Sequence, residues 1–207
     1  RAKESQIGEV FVATPDNEIL QIVNKSGGKA ILTERDHNSG SDRIYEIYSK
    51  KLKDSFDLII NLQGDMPNIQ SNEIIKLEKF MRNNNSDIGT LASSIKNENE
   101  IKNPNIVKVH VEKELKSGDF LNAKDFFRIK SNLSNEKIYH HIGIYAFTDQ
   151  ALTKYVKLSR SKLEIERNLE QMRAMENKMP IKVGLSDSNP LGVDTEEDLI
   201  KVSQEMN

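Results

Sequence analysis

The chain has 207 residues, 36% of them hydrophobic and 30% charged, with a formal net charge of −2 and no cysteine. These numbers fit one large globular domain or two small ones, exclude a disulfide framework and thiolate catalysis, and argue against a broad nucleic-acid-binding surface. No apolar run approaches the roughly 20 residues needed to span a bilayer. The lack of cysteine fits a cytosolic location.

Arg1-Ala-Lys-Glu-Ser-Gln6 reads like the tail of a helix. Residues 9–14 are a short β-branched strand, and residues 16–25 a helix with Ile19, Leu20 and Val23 on one face and Gly27-Gly28 as its stop. A strand over 29–33 and a helix over 39–53, with Ile44, Ile47 and Tyr48 as its stripe, follow. Residues 57–62 are nearly continuously apolar, the pattern of a central strand buried on both faces. A helix over 71–82 carries Ile74, Leu77 and Met81 at spacings of three and four. This rhythm of strand and helix predicts βαβ units and a parallel sheet.

The second half is less regular. Strands are predicted over 88–95 and 106–111, joined by a turn containing Pro104, and loops with short elements over 113–138, around Phe120, Phe126 and Phe127. Residues 139–147 form a strand. Ser161-Lys-Leu-Glu164 has the form of a capping box, opening one helix with Ile165, Leu169 and Met172 on its buried face. A strand over 181–185 precedes a last helix from Thr195, with Leu199, Val202 and Met206 as its stripe.

Two aspartates carry the chemistry. Asp65 lies in the run Asp57-Leu-Ile-Ile-Asn-Leu-Gln-Gly-Asp-Met-Pro67, near the carboxyl end of a strand, where open α/β sheets bind ligands. Asp194 lies in Gly192-Val-Asp-Thr195, and its alternative reading is a first-turn carboxylate favoured by the helix dipole. Two converging carboxylates suit Mg²⁺, which prefers oxygen ligands shared with substrate phosphates. Gly64 lets backbone approach a ligand, and Gln63 offers an amide to a ribose, base or sugar. Ser39 is an N-cap whose helix end offers N–H groups to acceptors. Arg43, a cation in that helix's first turn, has either a ligand or a salt bridge to Asp42 or Glu46. His141, Gly143 and Tyr145 share one face of a strand and His140 the other. Glu170, Gln171 and Arg173 read as an exposed polar face.

In order along the chain, Val12-Ala-Thr14, Asp36-His37, Ser39-Gly40 through Arg43, Asn61 through Asp65 with Pro67, Asn103-Pro-Asn105 with Val107-Lys-Val109, His141-x-Gly-Ile-Tyr145, Leu163-Glu164, Leu169-Glu-Gln171 with Arg173, and Gly192-Val-Asp-Thr195 with Asp198-Leu199 resemble the 3-deoxy-manno-octulosonate (Kdo) cytidylyltransferases, or CMP-Kdo synthetases. The resemblance implies a Rossmann-like α/β nucleotidyltransferase fold with a mostly parallel sheet flanked by helices. It implies one domain over 1–207, with a sugar-binding and dimerisation subregion around 113–175. It further implies a cytoplasmic homodimer that joins CTP and Kdo into CMP-Kdo and pyrophosphate for lipopolysaccharide synthesis.

Carried over by residue, the resemblance assigns Asp65 and Asp194 to Mg²⁺ and catalysis. It assigns Ser39, Gly40, Arg43 and Gln63 to the nucleotide, and His141, Tyr145, Glu170, Gln171 and Arg128 to the sugar acid. Four departures accompany it. The family's first strand and its Pro-Ala-Arg phosphate loop have no counterpart, which reads as a fragment of a longer protein or a degraded enzyme. Met66 stands where the family has Glu, Arg167 likewise, and residues 116–129 diverge. The second expectation is therefore a catalytically inactive remnant that binds a sugar acid or a partner chain.

Overall fold

The computed structural model describes residues 1–129, 137–193 and 195–206. The elements run α1 (Ala2–Ser5), β1 (Val12–Thr14), α2 (Asn17–Lys25), β2 (Ala30–Leu32), α3 (Gly40–Ile47), β3 (Leu58–Leu62), α4 (Ser71–Asn84), β4 (Ile88–Ser93), α5 (Glu98–Lys102) and β5 (Lys108–Val111). They continue with β6 (Phe120–Phe127), β7 (Lys137–Thr148), α6 (Asp149–Val156), α7 (Lys162–Arg167), α8 (Gln171–Glu176), β8 (Lys182–Leu185) and α9 (Glu196–Met206).

Local chemistry sets the helix ends. Asp16 caps α2 by accepting from the Glu18 N–H, and Ser39 caps α3 through the Asp42 N–H. The predicted helix over 39–53 is α3 followed by a π-helical turn, Tyr48–Leu52. Ser161 and Glu164 form the predicted capping box. The single helix expected beyond it is instead two. Asn168 sits at φ +51°, a left-handed conformation Asn tolerates, and ends α7 before α8 begins. The break turns Ile165 out to solvent, while Leu169 and Met172 stay buried. On α9 only Val202 of the expected stripe is buried, and Leu199 and Met206 are exposed. The strand β6 and the helices α5 and α6 were not legible as such.

The sheet departs from a mostly parallel one. β1 and β2 pair in parallel as a separate two-stranded sheet, and the six-stranded sheet has the order β3-β7-β4-β8-β6-β5. β4 and β8 are parallel, but the long β7 enters between β3 and β4 and is antiparallel to both. The βαβ rhythm correctly gave β1 and β2 a parallel pairing and β3 and β4 one direction. It could not show a strand returning from far along the chain to separate them. β3, read as a central strand, pairs on one side only among the described residues and is half-buried.

Alternation along β7 divides the core. Tyr145 and Phe147 point into a cluster with Ile88, Leu152, Tyr155, Leu169 and Met172, reached from α6 and α8. Ile144 and Ala146 point into the other, with Met66, Ile69, Leu77 and Met81 beneath α4. α4 lies close over the sheet: a Cβ on Gly89 or Gly184 would collide with side chains of α4, namely Met81 or Phe80.

A strap holds the β2–α3 loop. Glu46 accepts from the Glu34 N–H (2.9 Å), His37 Nε2 (2.7 Å) and Lys50 Nζ (2.7 Å). These bonds, Lys50's foremost, hold its carboxyl at a pKa of about 2 against an ordinary 4.5. A depressed folded pKa gives stability that is full above about pH 4.5 and is lost as pH falls to about 2. Glu46→Gln should flatten this acid-side loss, read as urea midpoints from pH 6 down to pH 2.

Candidate active site

A cleft of about 930 Å³ opens at the carboxyl end of β3. Its walls come from the start of α3 (Ser39, Gly40), the turn after β3 (Gln63, Asp65, Met66), the turn before β5, and β7. The α7–α8 junction (Asn168 to Gln171) and the segment 190–192 complete it. Nine of the expected site residues therefore meet in one place: Ser39, Gly40, Gln63, Asp65, Arg128, His141, Tyr145, Glu170 and Gln171. Asp194 lies outside the described residues. Its neighbour Val193 donates its N–H to the Asp65 carbonyl at 2.8 Å, and Leu191 N donates to Asn68 Oδ1 at 3.1 Å. The C-terminal segment thus runs against the Asp65 turn, and Gly192 and Thr195 line the same cleft.

Arg43 departs from its expected place. It is absent from the cleft lining, and neither Asp42 nor Glu46 is its partner. Its guanidinium donates to Thr33 Oγ1 (2.7 Å) and to the carbonyls of Glu34 (2.9 Å) and Arg35 (3.1 Å). A cation disfavoured by the helix dipole here braces the preceding loop. The N-terminus of α3 is also largely used by the protein itself. Ser41 N donates to Glu170 Oε2 (3.2 Å), Asp42 N to Ser39 Oγ (3.2 Å), and Arg43 N to the Ser39 carbonyl (3.2 Å). The anion at this helix end is Glu170.

The polar face expected on α8 is buried. Arg173 is 2% exposed, donates to both carboxylate oxygens of Asp42 (2.9 and 3.1 Å) and of Glu164 (2.7 and 2.9 Å), and lies 4.6 Å from the Tyr155 ring centroid. Asp42 also accepts from Ser39 Oγ at 2.8 Å. The two cleft walls, α3 and α7–α8, are thereby joined behind the site.

β7 carries the other polar groups. Between Thr90 and Leu91 the β4–β7 register shifts, a bulge of the kind that re-aims side chains near sites. Thr90 Oγ1 fills it, donating to the Ile144 carbonyl at 2.7 Å and lying 3.0 Å from His141 Nε2. With the one hydroxyl proton given to Ile144, His141 Nε2–H is the donor to Thr90, and Nδ1 is left as an acceptor. His141 and Tyr145 share a face as expected, with ring centroids 5.4 Å apart. His140, opposite, pairs with Glu100 at 3.2 Å.

Burial, with His140 second, pushes the His141 imidazole down to a pKa of about 3. The unfolded imidazole takes a proton near pH 6.5 and the folded one does not until about 3, so stability is lost as pH falls through that window. The His141 ring shifts in NMR should accordingly stay flat from pH 8 to pH 4. Burial also raises the carboxyl pKa of Glu170. Glu170 Oε1 and Tyr145 Oη are buried polar atoms without a hydrogen-bond partner among the described residues, both at the cleft.

Two departures noted in the sequence find structural roles. Met66 packs into the core beneath the Asp65 turn. Arg167 donates to Asp125 Oδ1 (2.5 Å) and to the Phe126 carbonyl (2.6 Å), tying α7 to β6. Sequence reasoning missed Thr90 and Asn168 as site neighbours. Only Asn168 left a signal, as an Asn between two apolar helical runs.

The donor set fits Mg²⁺. Among the described residues no group of three His, Asp or Glu could hold a metal unaided. Asp65 and Asp198 nonetheless put carboxylates on one cleft, and Mg²⁺ typically binds one or two carboxylates together with substrate phosphates.

The pattern defining the cytidylyltransferase family matches residues 1–181. The 3-deoxy-manno-octulosonate cytidylyltransferase of Bartonella tribocorum is 43% identical over 203 residues, covering 98% of this chain and 83% of that protein. The chain belongs to this family. The enzyme of the same name from Thermodesulfovibrio yellowstonii is 45% identical over 209 residues, covering 96% and 82%. The structure of CMP:2-keto-3-deoxy-manno-octonic acid synthetase complexed with CTP superposes with a TM-score of 0.86 at 33% identity, covering 99% of this chain and 85% of that one. A more distant likeness, to 4-diphosphocytidyl-2C-methyl-D-erythritol synthase from Anaerococcus prevotii, has a TM-score of 0.63 at 16% identity and reports the shared nucleotidyltransferase fold alone. This cytidylyltransferase chain therefore carries the α/β architecture expected from its sequence.

Proposed function

We propose that this chain transfers a cytidylyl group from CTP to Kdo, forming CMP-Kdo and pyrophosphate. The observation that carries the reading is the shared cleft. It joins the Ser39, Gly40, Gln63 and Asp65 wall to the His141, Tyr145, Glu170, Gln171 and Arg128 wall, in a chain 43% identical to a protein named for this reaction. A Kdo hydroxyl oxygen attacks the α-phosphorus of CTP, the bond to the β-phosphate oxygen breaks, and the hydroxyl proton is lost. The protein's tasks are positioning and charge neutralisation.

Asp65 and Asp194 are the residues that would hold Mg²⁺, which when bound would supply charge neutralisation at the α-phosphate and lower the pKa of the attacking hydroxyl. Gln63 presents an amide to the nucleotide. His141 stays neutral and accepts from a sugar hydroxyl through Nδ1. Glu170 Oε1 and Tyr145 Oη take further hydroxyls, which satisfies two buried polar atoms. Arg128 faces the carboxylate. On this reading the enzyme works as a cytoplasmic homodimer and supplies the activated sugar acid for lipopolysaccharide.

The test is pyrophosphate release from CTP and Mg²⁺, with and without Kdo. Release that requires Kdo supports the proposal. A folded chain that releases none, or does so only with another sugar acid, overturns it.

A further inference from the structure

Two cations meet at the cleft wall without an acid between them. Lys108, on β5, is fully buried (0% exposed), and its Nζ donates to the carbonyls of Asn103 (2.6 Å) and Arg128 (2.7 Å). Arg128 returns the link: its Nη1 donates to the carbonyls of Pro104 (3.2 Å) and Asn105 (2.8 Å). Asn105 N closes the turn on Asn103 Oδ1 at 2.9 Å. The acceptors of both cations are backbone carbonyls, and neither forms an ion pair among the described residues. The acid whose charge reaches Lys108 is Glu100, which is itself paired with His140 at 3.2 Å.

A buried lysine is ordinarily paired with a carboxylate. Carbonyl dipoles take two of its three N–H donors and leave its charge in place. Burial, and Arg128 after it, pull the Lys108 pKa down, so the arrangement works against its own charge. Such an uncompensated charge suits a site that receives an anion. The clasp is also rigidly mounted. Lys108 is registered between Phe127 on one side and His140 on the other, and Asn103, Pro104, Asn105, Arg128 and His140 all line the cleft.

We propose that Lys108 is a positioning residue that binds the 103–105 turn and Arg128 into one unit, so that Arg128 meets the carboxylate of an acid substrate already oriented. The proposal rests on the cytidylyltransferase reading for the identity of that acid and on the clasp alone for its geometry.

The experiment compares the full chain with Lys108→Met, Arg128→Met and the double variant, by steady-state kinetics in CTP and Kdo and by hydrogen–deuterium exchange. Lys108→Met should raise KM for Kdo about 10-fold, the scale of a lost orienting contact, while KM for CTP and kcat stay within about twofold. Exchange should quicken over residues 103–105. The double variant should be no worse than Arg128→Met, because both act at one point. KM values rising together for both substrates, multiplying effects in the double variant, or unchanged exchange would overturn the proposal. Lys108→Gln, which keeps an amide donor, replaces the methionine variant if that one does not fold, with the same selective but smaller rise expected and its absence equally fatal. A wild-type chain without Kdo-dependent turnover would sink the substrate reading only. Exchange needs no substrate, so quickening over 103–105 would then uphold the clasp and unchanged exchange would reject it.

Discussion

Arg173→Met should destabilise the protein by about 3–5 kcal/mol, the cost of removing one partner from a buried ion network. For a chain of this size that lowers Tm by roughly 6–20 °C. The residue is 2% exposed and satisfies two carboxylates, Asp42 and Glu164, the latter 1% exposed. Without the guanidinium Asp42 loses the cation it pairs with, and Glu164 keeps Arg160 and the Ser161 N–H. Arg173→Lys should recover little, because an ammonium cannot give four donor contacts in two directions. The contrast is Arg82, which pairs with Asp57 and Glu78 but is 52% exposed at its side chain. Arg82→Met should cost under about 1 kcal/mol. Urea and thermal unfolding of the three variants check this. Equal losses at Arg173 and Arg82 would show that burial of the network does not set its value.

Asp65→Asn should lower kcat by about 10²–10³-fold, the scale of removing one preorganised charge contact at a reacting phosphate. Its stability should change by less than about 0.5 kcal/mol, because Asp65 is exposed in a turn. The amide keeps the shape and one acceptor oxygen but not the charge. The Mg²⁺ concentration for half-maximal rate should rise in the same variant. A rate within twofold of wild type at saturating Mg²⁺ would remove Asp65 from the reaction. A parallel fall in Tm would mean that the turn, rather than the carboxylate, had been lost.

Local signals read from the sequence held where the physics is local. Ser39 and Ser161 were legible as caps because a side chain bonds its own backbone three residues on. The stripe on α4 was legible because one helix face meets one layer of core. Failures came where distant chain decides. Arg43 reads as a ligand-seeking cation until its loop carbonyls come into view. Arg173 reads as solvated until Asp42, from 131 residues away, folds against it.

By itself the sequence determined the family, the α/β class, two of the helix caps and nine residues that line the cleft, because each depends on residue type in order along the chain. The tertiary structure decided the insertion of β7 between β3 and β4, the break at Asn168, the burial of Arg173 and the clasp of Lys108 on Arg128. Each of these is set by strand pairing, charge compensation or carbonyl contacts between segments far apart in sequence, and no local periodicity encodes such a pairing.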